Sequence, residues 1–92
     1  MDITKKEIRL KSGESIPAGS EVTWVDGNAT VAGRRVSALG AAKGLGIDIP
    51  TDEDLNEWVT DSIVPSILGY NVEPDGIDPE GSPSWFLAMG LI

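Results

Sequence analysis

Ten carboxylates and no lysine or arginine occupy residues 47–92 of this 92-residue chain. Asp48, Asp52, Glu53, Asp54, Glu57 and Asp61 lie on or just before one amphipathic stretch, and Glu73, Asp75, Asp78 and Glu80 follow in a turn-rich loop. Clustered carboxylates serve three chemistries: ligation of a hard cation, general acid–base hydrolysis, and electrostatic docking on a basic partner. Calcium needs roughly six to eight oxygens. Asp75, Asp78 and Glu80 lack the spacing of a calcium-binding loop, and Asp-Gly and Asp-Pro pairs are ordinary turn formers. Glycoside hydrolysis needs an aromatic-lined cleft and one carboxyl of raised pKa, for which so short a chain has little room. Docking is the chemistry left.

The missing residue types narrow the choice further. Without cysteine or histidine there are no disulfides, thiolate nucleophiles, conventional zinc sites or usual general base near neutral pH. The expectation is therefore a protein that is not an enzyme and uses no cofactor or metal. Met1 to Lys6 are not followed by an apolar core like that of a signal peptide, and no apolar run is long enough for a membrane span. A cytoplasmic protein is expected.

The net charge of -8 is unevenly divided. Residues 1–46 hold seven cationic and five acidic side chains, a balance of +2, whereas residues 47–92 carry -10. Acidic residues can simply solvate a surface. A helix through Glu57 and Asp61, however, sets like charges three apart (Asp54, Glu57) and four apart (Glu57, Asp61), each pair costing roughly a few tenths of a kcal/mol. The dipole at a helix N-terminus accounts for Asp52, Glu53 and Asp54 but not for Glu57 and Asp61. Asp54, Glu57 and Asp61 are accordingly assigned to partner contact, with Asp75, Asp78 and Glu80 as a second patch.

The elements that must position these groups are legible in outline. Thr51 after Pro50 caps a central helix over 51–63, with Leu55, Trp58, Val59 and Ile63 on one packed face and Trp58 in the core. Pro65 interrupts it, giving either a kinked continuation or a separate short turn ending at Gly69. Ser82 and Pro83 begin a short apolar helix over 83–91, docked through Trp85, Met89 and Ile92. In the other half, Ile8 and Leu10 alternate with charged residues in a strand over 6–11. Asp26-Gly27 closes a two-residue hairpin between Glu21–Val25 and Asn28–Ala32. If Val25 faces Asn28, then Val22, Trp24, Ala29 and Val31 share one face and Thr23 and Thr30 the other. A short strand over 33–36 follows, then a brief helix capped by Ser37 and ended near Gly44 or Gly46.

The expected fold is α+β in a single domain: a small antiparallel, SH3-like sheet in residues 1–36 packed against two or three short helices of an acidic lobe, residues 37–92. The expected function is binding. Carboxylates on a small scaffold can imitate nucleic-acid phosphates and fill the Lys/Arg groove of a nucleic-acid-handling protein, as an anti-CRISPR or anti-restriction inhibitor would. The alternative is an assembly module that self-associates or docks through its apolar C-terminal segment. Direct nucleic-acid binding through Arg9, Lys11, Arg34 and Arg35 is disfavoured by the net charge.

Overall fold

The computed structural model describes residues 2–92. In chain order its elements are β1 (Asp2–Ile3), β2 (Ile8–Arg9), β3 (Ser15–Ile16), β4 (Glu21–Val25), β5 (Asn28–Val31), β6 (Arg34–Val36), α1 (Ala38–Gly44), α2 (Asp52–Trp58), β7 (Val64–Pro65), β8 (Asn71–Val72) and α3 (Trp85–Ala88). The fold is α+β, with a four-stranded antiparallel sheet of order β1-β4-β5-β6 in the N-terminal half and three short helices later in the chain. Two-stranded ribbons, β2-β3 and β7-β8, complete it.

The β4–β5 hairpin sets the geometry. Asp26 and Gly27 both take positive φ, 50° and 83°, as a type I′ turn requires. The resulting register pairs Val22 with Val31, Thr23 with Thr30, Trp24 with Ala29 and Val25 with Asn28, as the turn and the alternation predict. Val22, Trp24, Ala29 and Val31 are buried, and Thr23 on the opposite face is exposed. A second tight turn, Ala32-Gly33 at φ 50° and 78°, joins β5 to β6. An alanine gives no turn signal in the sequence, and its left-handed conformation costs about 1–2 kcal/mol. Ala32→Gly should relieve that strain, less the roughly 0.5–1 kcal/mol that glycine loses in chain entropy. Thermal unfolding of the variant should shift upward by a few degrees; no shift, or a fall, would contradict this account of the turn.

Helix α1 packs on the sheet because its inward face is small. Ala41 and Ala42 are fully buried, and a Cβ on Gly44 would meet Ile8 Cδ1 at 2.6 Å. The Gly44 carbonyl accepts the Lys5 and Lys6 amides at 2.8 and 3.1 Å, so the helix end also ties down the chain entering β2. Ser37 caps this helix through its hydroxyl, which accepts from the Gly40 amide at 3.0 Å, as expected. Ile67 and Trp85 from the C-terminal half enter the same hydrophobic cluster as Trp24, Val31 and Leu45.

The second half departs from expectation in three places. The helix over 51–63 stops at Trp58, where the β-branched Val59 and Thr60 and the carboxylate of Asp61, unfavourable at the negative end of the dipole, offer nothing to extend it. Nor is it central. None of its residues is fully buried; Leu55 and Trp58 are half-buried, Trp58 packing against the core, while Val59 and Ile63 are 66% and 49% exposed. Pro65 neither kinks a helix nor starts one, but sits in β7, paired with Asn71 of β8. Finally, the C-terminal helix is capped by Ser84 rather than Ser82 and covers only 85–88. Trp85 is buried and Met89 half-buried, but Ile92 is 62% exposed, so docking holds only at the start of the segment.

Candidate interaction surface

The six carboxylates singled out in the sequence fall into four different environments. Asp54 is committed to the start of α2: its Oδ2 accepts the Thr51 amide at 3.0 Å while Thr51 Oγ1 accepts the Asp54 amide at 3.2 Å. This reciprocal capping box satisfies two helix-terminal donors at once. Glu57 on α2, Asp61 just beyond it and Asp75 in the loop after β8 are exposed, and among the described residues they make no side-chain hydrogen bond or ion pair. Because α2 ends before Asp61, the helical four-residue repulsion expected between Glu57 and Asp61 does not arise. Asp61 instead donates its amide to the Trp58 carbonyl at 3.0 Å in the exit turn.

Asp78 corrects the expectation most strongly. It is 4% exposed, and its carboxylate is consumed by internal donors from its own loop and from Ser66 after β7. Oδ2 accepts from the Ser66 hydroxyl at 2.6 Å and from the Ser82 hydroxyl, and Oδ1 accepts the Glu80 and Ser82 amides at 2.9 and 3.0 Å. Burial alone would push this carboxyl up, but the hydroxyl and amide donors together outweigh it and hold the group below its ordinary value. Asp78 is therefore an internal anchor rather than part of a surface patch. Ser66 and Ser82, both fully buried, are the residues sequence reasoning passed over. A serine on each side of an Asx-type turn is the one signal that could have suggested them.

Glu80 lies apart from α2. Its Oε2 accepts the Tyr70 hydroxyl at 2.9 Å, a bond that with the carboxylate charge raises the Tyr70 phenol above its usual range. It shares a shallow cleft with Asp2, Glu21 and Trp24 beside β1 and β4. Acidic groups from both halves of the chain thus meet there. The indole Nε1 of Trp24, buried nearby in the sheet, has no hydrogen-bond partner among the described residues.

Beside α2 lies an apolar surface. Leu55, Asn56 and Val59 from α2 and its exit, Pro74 from the loop, Phe86 from α3, and Leu91 and Ile92 line one groove of ≈ 410 Å³. Leu91 is fixed there by its amide, which donates to the Phe86 carbonyl at 2.9 Å. Glu57, Glu73 and Asp75 are chain neighbours of Asn56 and Pro74, and all three are exposed. A larger cleft of ≈ 660 Å³ lies at the other charge pole, between β2 and α1, where Lys6, Arg9 and Lys43 alternate with Glu7 and Asp48. Arg9, Lys11, Arg34 and Arg35 are exposed as expected. Arg34 is bound to Glu14 at 2.6 Å, which lowers the Glu14 carboxyl through the hydrogen bond and the charge together, and Arg35 donates to Asn28 Oδ1 at 3.0 Å.

Comparison with protein-family models, with curated proteins and with solved structures yields no match to this chain. Among the described residues no helix is long and apolar enough to cross a membrane.

Proposed function

We propose that this is a non-enzymatic, cytoplasmic binding protein whose acidic α2 region contacts a basic surface, the surface of a nucleic-acid-handling protein being the best fit. One observation carries the reading: Glu57, Asp61 and Asp75 are exposed carboxylates, and their own half of the chain has no cation to answer them. A groove evolved to hold phosphates is lined with Lys and Arg and gains from any rigid array of anions. An inhibitor of the anti-CRISPR or anti-restriction kind would use the array in that way. Asp54 supports it indirectly by fixing the start of α2, and Asp78 by fixing the loop that carries Asp75.

The test is capture of partners by tagged protein from a bacterial lysate at low and at moderate salt, beside the double reversal Glu57→Lys/Asp61→Lys. The expected outcome is a nucleic-acid-binding protein retained at low salt, lost as the screening length shrinks to about 10 Å near 0.1 M, and reduced at least tenfold by the reversal. The exposed Leu91 and Ile92, at 57% and 62%, favour a second reading, an assembly module. A partner indifferent to both salt and reversal, or capture of this chain alone, would select it.

A further inference from the structure

A cleft of ≈ 330 Å³ separates β2 and the residues just after it from β6, with Arg9, Leu10 and Lys11 facing it from one strand and Arg35 and Val36 from the other. We infer that this cleft docks an extended acidic segment of a partner protein, which enters as an added strand with Asp or Glu on its outward side and apolar residues on its inward side. The site belongs to the N-terminal half and does not depend on the carboxylates of α2. Three observations carry it.

Free backbone comes first. In an antiparallel pair every second residue turns its N–H and C=O toward the partner strand, and the residues between turn theirs away. The Leu10 amide donates to the Glu14 carbonyl at 2.8 Å, and the register of Ile8 with Ile16 and Arg9 with Ser15 continues that ladder, so Arg9 turns its backbone groups away from β3. The two-residue turn Ala32-Gly33 makes Val31 and Arg34 a bonded pair, so Arg35 likewise turns its backbone groups away from β5. Among the described residues no backbone bond joins β2 to β6, yet the two are held together, since Arg34 binds Glu14 of the β2–β3 turn at 2.6 Å. Unpaired edges of this kind recruit strands. A cleft walled on both sides takes a lone segment rather than the edge of another folded sheet.

Charge comes next. Arg9, Lys11 and Arg35 line the cleft and no acidic residue does. All three are exposed. Arg35 donates to the neutral Asn28 Oδ1, and the carboxylate of Glu7 stands 3.8 Å from Arg9, too far for a hydrogen bond. Carboxylates on the outward side of an added strand would lie beside these cations, where opposite charges on neighbouring strands attract. Side-chain alternation is the third. Ile8 and Val36 are buried and Leu10 packs against the core, so the inward side of the added strand meets apolar groups. A nucleic-acid strand would answer the cations with its phosphates but leave the free N–H groups and the apolar positions unmatched.

The experiment titrates four probes of equal charge into the full chain at low salt, followed by backbone amide NMR. They are a peptide alternating Glu with Val, the same peptide N-methylated throughout its backbone, a block peptide with its glutamates together and its valines after them, and a single-stranded oligonucleotide. The alternating peptide should bind roughly tenfold or more tightly than the others, with the largest shifts and slowed hydrogen exchange at the Arg9 and Arg35 amides. Arg9→Glu/Arg35→Glu, both at exposed positions, should remove that binding while the spectrum stays folded, and Arg9→Gln/Arg35→Gln should weaken it less. Equal binding of the N-methylated or the block peptide would show charge attraction without an added strand and overturn the proposal. Tighter binding of the oligonucleotide would assign the cations to phosphates, and concentration-dependent shifts at the cleft with no probe present would assign it to a second copy; either result overturns the proposal, as does the absence of binding by every probe.

Discussion

Asp78→Ala should cost about 3 kcal/mol or more of folding free energy, among the largest single losses available outside the apolar core. The carboxylate holds four donors, two hydroxyls and two amides, in a site where Ser66, Ser82 and Ser84 are all fully buried. Its removal leaves donors without an acceptor and without water, and each such group costs about 1–3 kcal/mol unless the loop opens. The loss would spread. The Ser66 hydroxyl also accepts the Tyr70 amide at 3.1 Å, and the Ser84 hydroxyl, which donates to the Pro74 carbonyl, caps α3 by accepting the Leu87 amide at 3.1 Å. Urea unfolding monitored by tryptophan fluorescence measures this directly; a loss below about 1 kcal/mol would mean that the bonds to Asp78 are replaceable by solvent.

The same group gives the expectation a pH signature. Its carboxyl is held below the ordinary value in the folded protein, so it binds a proton more readily when unfolded. The stability it contributes is therefore fully present above the unfolded value of about 3.9 and is lost as the pH falls through the lower folded value. The stability gap between the wild type and Asp78→Asn should be constant from neutral pH to about 5 and should close below about 4. Comparing the two proteins is essential, because protonating the many exposed carboxylates relieves repulsion and moves both curves the other way. A gap unchanged down to the acid limit would show that the ionised form of Asp78 is not what the loop requires.

Gly81→Ala should be comparably severe, about 3 kcal/mol or more. Gly81 sits at φ 96°, a conformation that costs a residue with a Cβ about 1–2 kcal/mol. The added carbon would also meet the carbonyl oxygen of Trp24, and its carbonyl carbon at 2.8 Å, both backbone atoms of β4 that cannot swing aside. Overpacking of this kind adds about 1–3 kcal/mol. Separation of the loop from the hairpin would relieve the clash but would break the bond from the Gly27 amide to the Gly81 carbonyl at 2.7 Å. A midpoint in thermal unfolding lowered by less than about 5 °C would indicate that the loop rides free of the sheet.

These sensitivities divide along the line between what is written locally in the chain and what is not. The β4–β5 hairpin is legible because Asp26-Gly27 states the turn and the alternation of Val22, Trp24, Ala29 and Val31 states the face, two local signals that agree. Ser37 and Thr51 are legible as caps for the same reason. The helix over 51–63 is half legible: its start is coded by Thr51 and three acids, while its early end reflects both the poor helix formers Val59, Thr60 and Asp61 and the pairing of Val64 and Pro65 with residues 71–72, a non-local contact that periodicity cannot register. The apolar side of α2 is real, but periodicity reports that a face is apolar and not what covers it; here Leu55 and Val59 line a groove instead of a core. Asp78 is illegible in principle. A run of Asp, Gly, Pro and Glu reads as solvent-exposed turns, and only the folding of residues 66 and 82 around one carboxylate turns it into a buried site.

The clasp between Gly27 and Gly81 has a bearing on the order in which the molecule assembles. The hairpin closes on itself over a few residues, on a timescale of about microseconds, and needs nothing downstream to find its register. The clasp joins positions 54 residues apart in the chain, so during synthesis the hairpin tip has left the ribosome long before its partner exists. The hairpin can therefore form before the contacts of Asp78 and Gly81, which must await the last part of the chain. The apolar groove is completed at that later stage, since Pro74, Phe86 and Leu91 lie on either side of the clasp.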